Sequence, residues 1–176
     1  GNILSEQTYQ NIVNNNPSRG TNKTAYSYIF KQQDEALKEA YNNFKAKASK
    51  ELKKLAKDFE NYKEDNKSWL EKDALYEALS EKSGNDYWPS WTDETDKNLF
   101  NPKSEDEKKA CKQRIRKIKK KYADVIDYYS FCQFVADKQK AEFLLALPTR
   151  NSAIRQLRFL KQTLVKHKGH FHPVTW

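Results

Sequence analysis

The sequence predicts an all-α protein, an antiparallel helical bundle with long helices and a tryptophan-containing connector. Charged residues make up 32% of the 176-residue chain and its mean hydropathy is −1.06, as expected for helices that bury one stripe and expose the rest. Four Gly and five Pro are too few for the turns of a many-stranded β fold. Aromatic residues, at 13%, argue against a disordered chain.

The N-terminal residues 1–24 are polar and predict turns and loop, with one short helical turn after Ser5. The first long helix is predicted from Asp34 to Tyr62, because apolar residues recur there at steps of three and four. The stripe comprises Leu37, Tyr41, Phe44, Ala48, Leu52, Leu55, Phe59 and Tyr62. The opposite face is rich in Lys and Glu and is interpreted as solvated.

A second helix is predicted from Asn66 to Lys82. Asn66 is a candidate N-cap, since its side-chain oxygen can accept a hydrogen bond from a backbone N–H of the first turn. Gly84 is the expected stop, because glycine adopts the left-handed conformation at low cost. Residues 84–104 then form an irregular connector that carries Trp88 and Trp91.

A third helix is predicted from Glu105 to Phe143, opened by a capping box of Ser104 and Glu107. Its apolar residues alternate steps of three and four, which favours coiled-coil-like antiparallel packing against the first helix. They are Ile115, Ile118, Tyr122, Val125, Tyr129, Cys132 and Ala136. Pro148 ends or bends this helix, and a fourth helix is predicted from Asn151 to Lys168.

The positive charge is distributed unevenly and predicts two regions, 1–143 and a basic C-terminal helix and tail, 144–176. The tail holds six of the 33 basic residues and no acid, whereas the first 143 residues hold 27 bases and 24 acids. The six are Arg150, Arg155, Arg158, Lys161, Lys166 and Lys168. They suit either RNA phosphates or an acidic protein partner. Further positive charge lies on the third helix at Lys117, Lys119, Lys120 and Lys121.

The two cysteines predict reduced thiols in a cytoplasmic protein. Cys111 and Cys132 lie 21 positions apart on one predicted helix, about 30 Å along its axis, so they cannot bridge each other there. No apolar run is long enough to span a membrane, and no signal peptide is visible.

Three further groups of residues have each a functional and a structural interpretation. Tyr87, Trp88 and Trp91 could stack on sugar rings or anchor the connector on the bundle. The histidines of the tail have irregular spacing, so a disordered or packed end is favoured over a metal site; they are His167, His170 and His172. The carboxylates of the second helix, Asp73, Glu77 and Glu81, are interpreted as a solvated face. No metal or cofactor is predicted.

The segment Asn66-Lys-Ser-Trp69-Leu70 to Gly84, followed by Trp88 and Trp91, resembles the helical insert of bacterial 4-α-glucanotransferases (amylomaltases). Other segments resemble that family in the same order, and together they span about residues 1–143. They are Leu4-Ser-Glu-Gln-Thr-Tyr9, Asn16-Pro17, Ala36-Leu37, and Tyr122-Ala-Asp-Val-Ile-Asp-Tyr128 through Phe134.

The resemblance implies a parent enzyme that moves α-1,4-glucan segments between acceptors on a catalytic barrel. A retaining transfer needs two carboxyl groups about 5 Å apart. Where the family's barrel strand would follow, this chain has Leu144-Leu-Ala-Leu-Pro-Thr-Arg150, so no catalytic residue is carried over. We therefore expect a 4-α-glucanotransferase fragment without the barrel. The alternative is a non-catalytic structural or binding module of enzyme ancestry, whose basic tail binds RNA or an acidic protein.

Overall fold

The computed structural model describes residues 3–46 and 49–145, and within these ranges it contains helices and no strand, which confirms the all-α prediction. The helices are α1 (Glu6–Asn14), α2 (Tyr26–Ala46), α3 (Lys50–Asp65), α4 (Lys67–Ser83), α5 (Glu94–Lys97), α6 (Glu105–Lys121) and α7 (Ala123–Leu145). A single 3-10 turn, Trp88–Ser90, lies between α4 and α5. The predicted fourth helix lies outside the described residues.

Helix α4 is the centre of the bundle. Its residues Leu75 and Ala78 are completely buried, and the helix packs most extensively against α7 and also contacts α3 and α6. The beginning of α4, at Leu70, clusters with Tyr129, whereas its end, at Leu79, lies in the cluster that Tyr122 packs against. As residue numbers increase along α4, those of its neighbours on α7 decrease, so the two helices are antiparallel.

Helices α2 and α3 pack on α7 through an aromatic core. The ring of Phe131 is fully buried, with centroid distances of 5.3 Å to Tyr41, 4.9 Å to Phe44 and 6.1 Å to Phe59. Helix α3 runs antiparallel to α7, because Asp58 pairs with Lys138 at 3.2 Å and Lys63 pairs with Asp127 at 3.1 Å. The predicted antiparallel pairing is therefore present, but the main partner of α7 is α4.

The prediction of one helix from Asp34 to Tyr62 is wrong, because α2 and α3 are separate helices. Ser49 has an extended backbone, and its Oγ accepts a hydrogen bond from the N–H of Leu52 at 3.2 Å. This N-cap starts α3 anew, since it satisfies a backbone donor that would otherwise lack a partner. The apolar stripe continues across the break and so concealed it.

The prediction of one helix from Glu105 to Phe143 is also wrong, because a break at Tyr122 separates α6 from α7. Tyr122 has φ −114° and ψ 31°, outside the helical region. Its N–H still donates to Ile118 O at 2.8 Å and its C=O still accepts from Ile126 N, so the break sacrifices little backbone hydrogen bonding.

The predicted helix ends are confirmed at two of three positions. Gly84 has φ 68° and closes α4, with its N–H on Glu81 O and the next N–H, of Asn85, on Ser80 O. Ser104 caps α6 by accepting from the N–H of Glu107 at 3.2 Å. The second half of the predicted capping box is not formed as expected, because Glu107 Oε2 accepts from the N–H of Lys103 and not from that of Ser104.

Asn66 stands at the boundary of α4 as predicted, but its side chain does not cap the helix. Its Oδ1 instead accepts from the indole N–H of Trp69 at 3.0 Å, and its Nδ2 donates to Tyr62 O. Both side-chain groups are therefore used elsewhere, and Asn66 is a one-residue junction between α3 and α4.

The predicted helical turn after Ser5 is a nine-residue helix, α1, which is held on α2 by polar contacts. Ser5 Oγ accepts from the N–H of Thr8, and the carboxylate of Glu39 accepts from Ser5 N at 2.8 Å and from Thr8 Oγ1 at 2.5 Å. Tyr28 Oη donates to Ile12 O at 2.8 Å.

Candidate functional site

The connector between α4 and α5 is organised by Asn85, immediately after the glycine that ends α4. Its Oδ1 accepts from the N–H of Tyr87 at 3.1 Å and from Ser90 Oγ at 3.0 Å. Its C=O accepts from the indole N–H of Trp91 at 3.2 Å. One asparagine therefore fixes both ends of the turn that presents Tyr87 and Trp88.

Trp91 is the anchor of this turn. Its side chain is 4% exposed and lies in the cluster of Leu75 and Leu79. The indole also packs on the ring of Tyr76, with a centroid distance of 5.6 Å, and Tyr76 Oη donates to Asp86 O. The predicted anchoring of the connector on the bundle is thus the observed environment of Trp91.

Tyr87 and Trp88 lie differently from Trp91, because both are exposed. Tyr87 is 66% exposed and Trp88 38% exposed. The backbone that carries both rings is held in place, because it forms the 3-10 turn and is hydrogen-bonded to Asn85. The three predicted aromatic site residues are therefore close together, but only these two offer ring surface to a ligand.

A buried ion-pair cluster that the sequence did not predict lies beside the connector. Asp93 caps α5 by accepting from the N–H groups of Thr95 and Asp96. The carboxylate of Asp96, 1% exposed, accepts from Arg114 Nε at 2.7 Å and Nη2 at 2.8 Å, and from Lys82 Nζ at 2.5 Å. The cluster therefore ties α4, α5 and α6 together.

The charge state of Asp96 follows from two opposing causes. Burial raises the pKa of this carboxyl, but the hydrogen bonds and charges of Arg114 and Lys82 outweigh burial and hold its pKa below the ordinary value. The same contact raises the pKa of Arg114. Asp96 is consequently a fixed anion with its lone pairs occupied, which suits a structural tie and does not suit proton transfer.

A crevice of about 260 Å³ opens between α2, α3 and α7 and contains the carboxylates of Glu60 and Asp127. Lys63 binds both of them, at 3.0 Å and 3.1 Å, and Tyr41 Oη also donates to Asp127 at 3.2 Å. Burial and the charge of Asp127 raise the pKa of Tyr41. The two carboxylates thus share one lysine, and Asp127 is further held by a neutral hydrogen bond from Tyr41.

The carboxylates of α4 are only partly solvated. Asp73 and Glu77 are half-buried and Glu81 is exposed. Burial, with the charges of Asp73 and Glu77, raises the pKa of Tyr129, so these two carboxylates lie near that buried ring. Within residues 3–46 and 49–145 no group of side chains has the composition of a metal site.

The remaining predicted site residues lie outside the described residues. They are Arg150, Arg155, Arg158, Lys161, Lys166 and Lys168, with the histidines His167, His170 and His172. The domain boundary at 143/144 stays a prediction. Across the described helices, none has the length and apolar character that crossing a bilayer requires.

Sequence comparison assigns this helical bundle to a class of carbohydrate-active proteins. The chain belongs to glycoside hydrolase family 77, the 4-alpha-glucanotransferases, whose family model matches residues 3–154. This range contains every helix described above and confirms the resemblance seen in the sequence. No significant match exists among curated proteins or among solved structures.

Proposed function

We propose that this chain is the helical subdomain of a 4-alpha-glucanotransferase, and that it serves α-1,4-glucan disproportionation without supplying the reacting carboxylates. The observation that carries this proposal is the family match over residues 3–154, most of which the structure shows as helical. Glucan transfer with retention needs one carboxylate free to attack and a second able to exchange a proton. The buried carboxylate of Asp96 is saturated by two cations and fits neither role.

A disproportionation assay on the purified chain tests this proposal. With maltotriose as substrate, we expect neither glucose nor longer maltooligosaccharides, while a complete 4-alpha-glucanotransferase produces both under the same conditions. Formation of these products by the 176-residue chain alone would contradict the proposal.

The contribution we propose for the connector is contact with the glucan chain. The exposed rings of Tyr87 and Trp88 present flat apolar surface, which can cover the C–H face of a pyranose ring while the sugar hydroxyls stay in water. The rigid support from Asn85 and Trp91 reduces the entropy that ordering these rings on binding would cost.

Two tryptophans of equal exposure allow a controlled test of that contact. Trp88 and Trp69 are both 38% exposed, but Trp69 lies at the start of α4, outside the connector. We expect Trp88→Ala to weaken maltoheptaose binding at least fivefold in an NMR titration, and Trp69→Ala to leave it within twofold. Equal binding by the two variants would remove the connector from the proposal.

The alternative is that the module acts as a binding protein through its basic tail, with RNA or an acidic protein as partner. The six bases and no acid of residues 144–176 support it. Salt-sensitive RNA affinity that disappears when residues 144–176 are removed is the expected result for this alternative. Affinity that the truncated chain retains in full would rule out the tail as the binding element.

A further inference from the structure

Helix α6 has a composition that its packing does not explain. Nine of its 17 residues are Lys or Arg, and its three acids are confined to the first turn. The buried side is provided by Cys111 and Ile118, with Arg114 reaching Asp96. The bundle therefore uses one side of α6 and leaves the basic side unoccupied.

The outward side carries a regular row of cations, Lys112, Arg116 and Lys120, all exposed and spaced at intervals of four residues. Such spacing places them on one face, about 6 Å apart along the axis. Lys117 is also exposed and borders the row as a neighbour of Lys120, three positions before it. We call these four residues the α6 basic face.

Neighbouring acids form salt bridges with bases around the α6 basic face but not with the residues of the face itself. Four of the other five bases of α6 are paired: Lys108 with Glu105, Lys109 with Asp106, Arg114 with Asp96, and Lys119 with Glu71. The fifth, Lys121, lies over the ring of Tyr122. In the described ranges, 3–46 and 49–145, no salt bridge is made by any residue of the α6 basic face. Their mutual repulsion is therefore relieved only by solvent and ions, or by an anionic partner.

The side chains missing from this face decide which anionic partner it fits. The large apolar side chains exposed among the described residues lie on other elements: Tyr9, Tyr26, Phe30, Trp69, Tyr87 and Trp88. Protein interfaces depend on aromatic or apolar anchors and are depleted in Lys, and a helix bound to a membrane surface buries an apolar face. A phosphate backbone needs only a row of cations.

We propose that the α6 basic face binds the phosphate backbone of nucleic acid and does not read its bases. Recognition without aromatic stacking depends on the charge row alone, so the affinity is independent of sequence and falls steeply with salt. RNA and DNA share this chemistry, and the test includes both. This inference goes beyond glucan transfer and does not depend on the proposed function.

The test compares two triple variants that lose the same charge. Lys112→Gln with Arg116→Gln and Lys120→Gln removes the row from α6. The control, Lys50→Gln with Lys53→Gln and Lys57→Gln, removes three exposed bases from α3. This helix has five bases and five acids, so its charges balance. All six side chains are exposed, so both variants should fold, and thermal melts followed by circular dichroism verify this.

Binding is measured by fluorescence anisotropy with labelled 20-nucleotide RNA and DNA, each as a uridine or thymidine homopolymer and as a mixed sequence, from 50 to 200 mM salt. We expect the full chain to bind all four probes alike. The α6 variant should lose at least tenfold in affinity at 50 mM salt. The slope of its log K against log salt should become shallower by about two. The α3 control should lose less than threefold.

Several results would overturn the proposal. Absence of binding at 50 mM salt, or equal losses in the two triple variants, would mean that the α6 basic face is not a site. Preference for RNA or DNA alone, or for one base sequence, would contradict a site that depends on the charge row alone. Binding of poly-glutamate as tight as that of RNA would replace nucleic acid with an acidic protein as the partner. Because the tail is present in both variants, a difference between their affinities reports on the α6 basic face.

Discussion

The two ends of the bundle are stabilised by different physical means. Where α2 and α3 meet α7, the core consists of interlocking rings around Phe131, and the ion pairs around it are half-exposed. Where α4 and α5 meet α6, the core consists mainly of aliphatic side chains around the single buried ring of Trp91, and the buried carboxylate of Asp96 with its two cations lies beside it. The first end depends on shape and apolar burial, and the second depends also on one charged contact that must stay intact.

The largest loss of stability is expected at the aromatic end. Phe131→Ala removes a fully buried ring with three aromatic neighbours, so it should lower the free energy of unfolding by about 4 kcal/mol. Phe30→Ala, at a ring that is 37% exposed, should cost less than about 1 kcal/mol. Urea denaturation measures both. A comparable cost for the two variants would mean that the aromatic cluster is not a tightly packed core.

A smaller loss is expected from the charged contact at the other end. Asp96→Asn leaves Lys82 and Arg114 without their buried counter-charge, and we expect a cost of about 2 kcal/mol. This lies below the usual cost of breaking a buried pair, because Lys82 is 31% and Arg114 26% exposed and both retain some water. Asp58→Asn, in the half-exposed pair with Lys138, is the matched control and should cost less than about 1 kcal/mol in the same urea experiment.

The two ends should also respond to opposite extremes of pH. The folded pKa of Asp96 is lowered, so its contribution to stability is present above its ordinary value of 3.8 and is lost as pH falls through the folded value. Between pH 5 and pH 2.5, the urea midpoint of the wild type should therefore fall more than that of Asp96→Asn. Parallel curves for the two proteins would show that this ion-pair cluster does not govern acid sensitivity.

The smallest expected effect is at alkaline pH and at the aromatic end. Burial, with the charge of Asp137, raises the pKa of Tyr62 to about 12. A raised folded pKa stabilises the fold below the unfolded value and ceases to do so as pH rises through the folded one. Tyr62→Phe should therefore make the decline in stability from pH 10 to pH 12 shallower, as measured by the urea midpoint. An unchanged slope would assign that decline to other groups.

Helix ends that depend on local interactions were predicted from the sequence. Features that depend on residues far apart in the sequence were not. Gly84 and Ser104 act through their own backbone and nearest neighbours, so residue type and position were sufficient. No Gly or Pro marks the helix break at Tyr122. The break at Ser49 was not predicted because the apolar stripe continues on both sides of it. Periodicity reports which face is buried and does not report whether the axis is continuous.

The same distinction between local and long-range information applies to the candidate sites. The sequence placed Tyr87, Trp88 and Trp91 in one connector, but only the packing of Tyr76 distinguishes the buried indole from the exposed rings. Asp96 and Arg114 are 18 positions apart in charged segments, where nothing distinguishes this pair from their neighbours. Their contact depends on the way α5 folds back on α6, which is a property of the tertiary structure.

The one-residue junctions at Asn66 and Tyr122 make the molecule intolerant of certain changes in length. Each residue of an α-helix turns the chain by about 100°. Deleting Tyr122 would thus rotate α7 by nearly a third of a turn relative to α6, and Phe131 would leave the rings of α2 and α3 even though no side chain of the core had changed. The connector of residues 84–104 imposes no such rotational phase away from its anchors at Asn85, Trp91, Asp96 and Leu99. Insertions and deletions among homologous chains should therefore collect there and avoid both junctions.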